Sequence, residues 1–215
     1  MPALIAWWTL DLEALHPCAD PDVVLELGTD LLRRWAKPQR HYHSTRHLVE
    51  VFWALDDLAG PHGLLAHEQA LCRVAGWFHD AVYDPRAAAG HNEAASARLA
   101  VASLERLGMP AADIATVETL VLMTDGHDVA HTAPAQAFHD ADLWILSAPT
   151  ERFDAYCAQV REEYAHVPNP LYRQARSRIL DDFVHRPQLY VTGFAQAEWD
   201  TAARDNLRRE LARLS

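Results

Sequence analysis

The sequence predicts a compact all-α domain, and three observations carry that prediction. Apolar residues recur at three- and four-residue steps almost everywhere, Ala, Leu, Glu and Arg dominate the composition, and no segment reads as a strand. With 215 residues and half of them apolar, the chain can enclose a single substantial core. Internal repeats, low-complexity tracts and long linkers are absent, so one domain over 1–215 is expected.

Taken in order, a first helix runs over Pro21–Trp35, entered at Asp20 or Pro21 and closed before Pro38. Ser44 is the N-cap of the next, in which His47, Leu48, Val51, Phe52 and Leu55 define one buried stripe. Pro61 and Gly63 then mark a loop. A helix from about Glu68 to Ala81 turns Leu71, Val74, Ala75 and Phe78 inward and closes on His79-Asp80. After the loop Tyr83-Asp84-Pro85 to Gly90, an alanine-rich helix begins near Asn92 and ends at Gly108. Helices follow over Pro110–Met123 and Ala135–Leu146, separated by a polar loop from Thr124 to Pro134. The last third reads as helices near 150–165, 170–185 and 195–214.

Charge and cysteine usage narrow the function. Thirty acidic against 19 basic side chains give a net charge of −11, and no Lys/Arg-rich run interrupts it, which argues against nucleic acid as a partner. Cys18, Cys72 and Cys157 are odd in number and far apart, as suits a reducing cytoplasm. Residues 1–15 lack a basic start and carry Asp11 and Glu13, unlike a signal peptide. No run approaches the roughly 18 apolar residues of a membrane span, so no membrane partner is expected.

The unusual number is 13 histidines, and their placement decides what they do. His47 lies on an apolar stripe, His79-Asp80 closes an apolar helix, and Asp142 precedes Leu143, Trp144, Ile145 and Leu146. A carboxylate directed into a core is costly unless it is paired or binds a metal, and one shared cation would offset several such costs. Two imidazoles and two carboxylates suit Zn, Mn, Fe or Co and leave positions for water.

The order His47, His79-Asp80, Asp142 resembles the metal-ligand order of the HD-domain phosphohydrolase superfamily. Tyr42-His43-Ser44-Thr45-Arg46-His47 is similar to the Tyr-His-Asn-x-x-His element of its cyclic-nucleotide phosphodiesterases, with Ser in place of Asn. His139-Asp140-Ala141-Asp142-Leu143 is similar to their His-x-x-Asp-Leu element. Asn92-Glu93 with Ser96, Thr124 with His127, Arg161-Glu162-Glu163-Tyr164 and Ala203-Arg204-Asp205-Asn206-Leu207 extend the likeness to bacterial predicted HD phosphohydrolases over nearly the whole chain.

The resemblance implies a helical HD-type bundle with additional C-terminal helices: N-terminal helices over 1–40, a metal-site core over 41–147, and 148–215 packing on that core. It also implies one or two divalent ions (Mn, Zn, Fe, Co, Ni or Mg) held by His47, His79, Asp80 and Asp142. His43 would be the general acid, and Asp80 the bridging ligand if two ions bind. Asp140 competes with Asp142 or supports it from behind. His127 would bind phosphate or a second metal, and Glu93 would hydrogen-bond metal-bound water. Among Arg40, Arg46, Arg161, Arg173, Arg176 and Arg178 as phosphate-recognising cations, Arg161 is the first choice. Trp77 is a pocket-lining candidate, while Trp53 and the other tryptophans are assigned to packing.

The expected activity is hydrolysis of a phosphoester or pyrophosphate bond in a small phosphorylated substrate, a nucleotide by preference, in the cytoplasm. Two alternatives remain beside it: a di-iron oxygenase on the same fold, drawing on His127 with His91 or His131, and a nucleotide-sensing module without turnover. A zincin is excluded because the His43-to-His47 spacing lacks the adjacent Glu. The C-terminal third carries no catalytic signature in this reading and suits either packing on the core or a homodimer interface.

Overall fold

A computed structural model describes residues 2–126 and 131–215. Among them the backbone forms α1 (Pro2–Leu15), α2 (Pro21–Trp35), α3 (Thr45–His62), α4 (Ala66–Phe78), α5 (His91–Arg106) and α6 (Ala111–Leu122). These are followed by α7 (Ala133–Asp142), a 3-10 turn (Leu143–Ser147), α8 (Thr150–Glu163), α9 (Asn169–His185), α10 (Gly193–Glu198) and α11 (Asp200–Leu214). The all-α class is thus observed, with no strand among the described residues. No described helix is long and apolar enough to cross a membrane.

The central element is α4, whose run from Ala70 to Phe78 is buried except at Arg73. A helix this apolar is stable only when neighbours cover it on most sides, and α1, α3, α6 and α7 do so. Hydrogen bonds fix the packing at its polar points. Trp8 Nε1 donates to the Val24 carbonyl at 2.7 Å, and Arg73 pairs with Asp11 at 2.6 Å. Trp77 Nε1 reaches the same Asp11 carboxylate at 3.3 Å. Trp77 is therefore core rather than pocket wall, whereas Trp53, expected to pack, is 58% exposed.

Several element ends differ from the sequence reading. Helix α3 continues through Pro61, because a proline in the last turn forfeits only one hydrogen bond, and it stops at Gly63 with φ +71°. The expected Ala135–Leu146 helix begins earlier, at Ala133 behind the Thr132 cap, and tightens into the 3-10 turn after Asp142. The final helix breaks at Trp199 into α10 and α11.

The C-terminal third is bolted to the rest by buried polar contacts. Arg152 of α8 forks onto both oxygens of Glu50 at 2.5 and 2.7 Å. Asn206 of α11 donates to the carbonyls of Leu146 and Ala148, both at 2.9 Å. Asp140, fully buried, accepts from the Val191 and Thr192 amides and the Thr192 hydroxyl. These contacts pack the last third on the core.

Candidate metal centre

The local sequence explains why polar groups meet inside an apolar bundle. Helix α4 runs through the core and ends there, so His79, immediately past its last residue, is only 1% exposed. A helix C-terminus carries partial negative charge and favours a cation at that point. Helix α3 begins beside it, and the stripe that buries Leu48, Val51 and Phe52 carries His47 inward at 3% exposure. Asp142 is the last α-helical residue of α7, where the chain tightens to turn Leu143, Ile145 and Leu146 into the core.

The resulting geometry is tight. His47 Nε2 lies 3.1 Å from His79 Nε2 and 3.2 Å from Asp142 Oδ1. His79 Nε2 lies 3.2 Å from Asp80 Oδ2 and 3.4 Å from Asp142 Oδ1. His47, His79 and Asp80 each offer a ligand atom within 4.8 Å of the others and form a group able to hold a metal ion. Asp142 adds a carboxylate oxygen to the same cluster.

The donor chemistry fits a cation on three counts. His79 Nδ1 donates to the Gly76 carbonyl at 2.9 Å, which leaves the Nε2 lone pair facing the cluster. His47 Nδ1 lies 3.0 Å from the Tyr42 hydroxyl, so both rings are oriented through their outer nitrogens, as ligating histidines are. Finally, two carboxylates share this small space. Burial opposes their ionisation, yet the adjacent imidazoles, His79 foremost, hold Asp80 and Asp142 below the ordinary carboxylate range. Burial likewise pulls the His79 imidazolium down, and Asp80 and Asp142 outweigh it and raise it well above the ordinary value.

Around the cluster is a cavity of about 170 Å³, to whose walls His43, Glu93, Thr124, Tyr156 and Phe183 also contribute. His43 is held by a residue that the sequence reading did not single out. Glu163 closes α8 with its side chain wholly buried, and its Oε2 lies 2.6 Å from His43 Nδ1. The same oxygen accepts from the Tyr83 hydroxyl at 2.9 Å. Glu163 Oε1 accepts from the backbone amides of His41, Tyr42 and His43 at 2.8, 2.9 and 3.0 Å. Burial works against this charge, but hydrogen bonding from His43 prevails and lowers the carboxyl to about 2. A third of the chain expected to carry no catalytic feature therefore supplies the anchor of the candidate acid. A signal was present: Phe153, Tyr156, Cys157 and Val160 step onward to Glu163, placing a carboxylate on an apolar stripe.

Arg40 is the other support. Its guanidinium donates to the carbonyls of His43, Asp80 and Ala81 at 3.0, 2.7 and 3.0 Å, clamping the two segments that bear the site.

The remaining candidates divide. Glu93, half-buried on α5, lines the cavity, and burial raises its carboxyl above the ordinary value. Asp140 is not in the cluster, since its oxygens are spent on residues 191–192 and on His139 Nδ1 at 2.8 Å. Arg161 donates to the Tyr164 and Val167 carbonyls at 2.6 and 3.0 Å and stacks on Tyr172, so its contacts brace the end of α8. His127 lies outside the described residues. Among those described, neither His91 nor His131 joins the ligand group. The chain was compared with protein-family models and with curated proteins, and neither comparison found a match.

Proposed function

We propose that the protein is a metal-dependent phosphohydrolase acting on a small phosphorylated substrate, a nucleotide by preference, with His43 as general acid. The observation that carries this reading is the pairing, on one cavity, of the His47, His79, Asp80 and Asp142 cluster with a histidine that an ionised Glu163 holds by Nδ1. A hydrolase needs both a place for a Lewis acid and a proton donor for the leaving oxygen.

When bound, a divalent ion such as Mn, Zn, Fe or Co polarises a phosphoryl oxygen and brings the pKa of water from 15.7 to about 7. The rest is the work of the chain's own residues. His47 and His79 present neutral nitrogens, fixed from behind by Tyr42 and Gly76. Asp80 and Asp142 balance the charge of the ion. His43 has Nδ1 committed to Glu163, which leaves Nε2 for the substrate, and the carboxylate offsets the charge of the ring form that donates. A water oxygen bonds to phosphorus, the bond from phosphorus to the leaving oxygen breaks, and the His43 proton goes to that oxygen. Glu93, whose carboxyl burial raises above its ordinary value, lines the same cavity and would hydrogen-bond the incoming water.

The test begins with chelator-stripped protein, reloaded with Mn²⁺ or Co²⁺ and screened on nucleotide mono-, di- and cyclic phosphates and on aryl phosphates. Metal-dependent turnover that Asp142→Asn abolishes is expected. His43→Ala should slow alkyl esters far more than nitrophenyl esters, whose leaving group needs no proton. Absence of metal-dependent turnover across the whole panel overturns the reading.

A further inference from the structure

A second cavity of about 250 Å³ adjoins the first, and His43, Tyr42 and Tyr156 belong to the walls of both. Its composition is different. Tyr156, Tyr164 and Tyr172 contribute aromatic rings, Ile179 supplies an aliphatic side, and Arg176 is its cation.

Arg176 stands apart from the other inward arginines. Arg73 and Arg152 face carboxylates, and Arg40 and Arg161 donate to backbone carbonyls. Arg176 donates from Nη2 to the Tyr156 hydroxyl at 2.5 Å and lies 5.1 Å from the centroid of that ring. It meets no carboxylate among the described residues. A guanidinium has five donors, and this one stays without a counter-charge in a chain with 30 acidic side chains. Aromatic rings beside a guanidinium that meets no carboxylate match an aromatic body bearing a negative group.

His43 stands where the two cavities meet. If the phosphoryl group sits at the metal-ligand cluster, the oxygen that receives the His43 proton lies at this junction, and whatever departs with it extends among the tyrosines.

We propose that the tyrosine-walled cavity receives the leaving portion of the substrate, and that Arg176 selects there an aromatic group with an anionic substituent remote from the bond broken. The leaving-group role rests on the phosphohydrolase reading, while the ligand chemistry of the cavity does not. Arg176 is accordingly a specificity-determining residue.

Calorimetry on chelator-stripped protein tests the cavity without turnover, using 4-hydroxybenzoate and phenol as probes. Wild type is expected to prefer the carboxylate-bearing arene by about 10- to 100-fold, the range of a charge-assisted hydrogen-bonded pair. Arg176→Ala should erase that preference. Ile179→Trp, which fills the cavity from its half-exposed rim without removing a polar group, should weaken both probes. A wild type that does not bind 4-hydroxybenzoate, or a preference that survives Arg176→Ala in folded protein, overturns the proposal. Metal-loaded protein is then assayed on 4-carboxyphenyl phosphate and phenyl phosphate. Persistent arene binding with no hydrolysis of either ester would overturn the leaving-group role and the phosphohydrolase reading, leaving the arene site standing.

Discussion

Glu163 offers the sharpest quantitative test, because one buried carboxylate accepts from three backbone amides, a tyrosine hydroxyl and an imidazole. Its carboxyl lies at about 2 against an ordinary 4.5. At 1.36 kcal/mol per pKa unit, that displacement corresponds to about 3 kcal/mol of folding stability. The folded value is the lower one, so this stability is complete above about pH 4.5 and is lost as pH falls towards 2. Glu163→Gln removes the charge and keeps the shape. Urea denaturation of both proteins from pH 7 down to pH 2.5 should show wild type more stable by roughly 3 kcal/mol at neutrality. The gap should narrow steadily below about pH 4.5. Subtraction cancels the other carboxylates, Asp80 and Asp142 included, since both proteins carry them. A gap that stays constant with pH refutes the assignment of the stability to the Glu163 charge, and a gap near zero at neutrality refutes the anchoring role altogether.

Other consequences are separable by experiment. Asp142→Asn should cut metal affinity by more than ~10-fold, read by calorimetry with Mn²⁺, whereas Asp140→Asn should leave affinity largely intact. Thermal denaturation should show the opposite order: Asp140→Ala strands the Val191 and Thr192 donors, each at a cost of about 1–3 kcal/mol. Because the carboxylates of Asp80 and Asp142 raise the His79 imidazole above its ordinary value, metal binding should release protons, and titrations in buffers of different ionisation enthalpy will detect the release. In Gly28→Ala the new methyl group would run into the Trp8 indole where α1 meets α2. The expected penalty is about 1–3 kcal/mol in chemical denaturation, with metal binding unaltered.

The helical class and most helix positions were legible because helix periodicity and end signals are local. Asp20 before Pro21 and Gly63 after α3 mark ends whichever neighbours pack on them. One missed end lies where tertiary packing overrides a local preference, as the Leu143–Ser147 turn tightens to bury Leu143, Ile145 and Leu146. The group able to hold an ion was legible for a related reason: His47 and His79-Asp80 are polar groups in apolar segments, an anomaly visible in one dimension. Asp142 was preferred to Asp140 on the resemblance alone, because both precede the same apolar run, and only the fold sets Asp140 against the amides of residues 191–192.

Sequence alone thus determined the all-α class and the residues able to share a cation, since both follow from local periodicity and from the cost of burying charge. Tertiary structure alone decided what surrounds that centre. Glu163 is 120 residues from the histidine it holds. Arg161 and Arg176 are both arginines of the last third, yet one donates to two backbone carbonyls and the other lines a cavity and meets no carboxylate among the described residues. A side chain's identity states what it can bind, but burial and the partners already spent on it decide what it has left to offer.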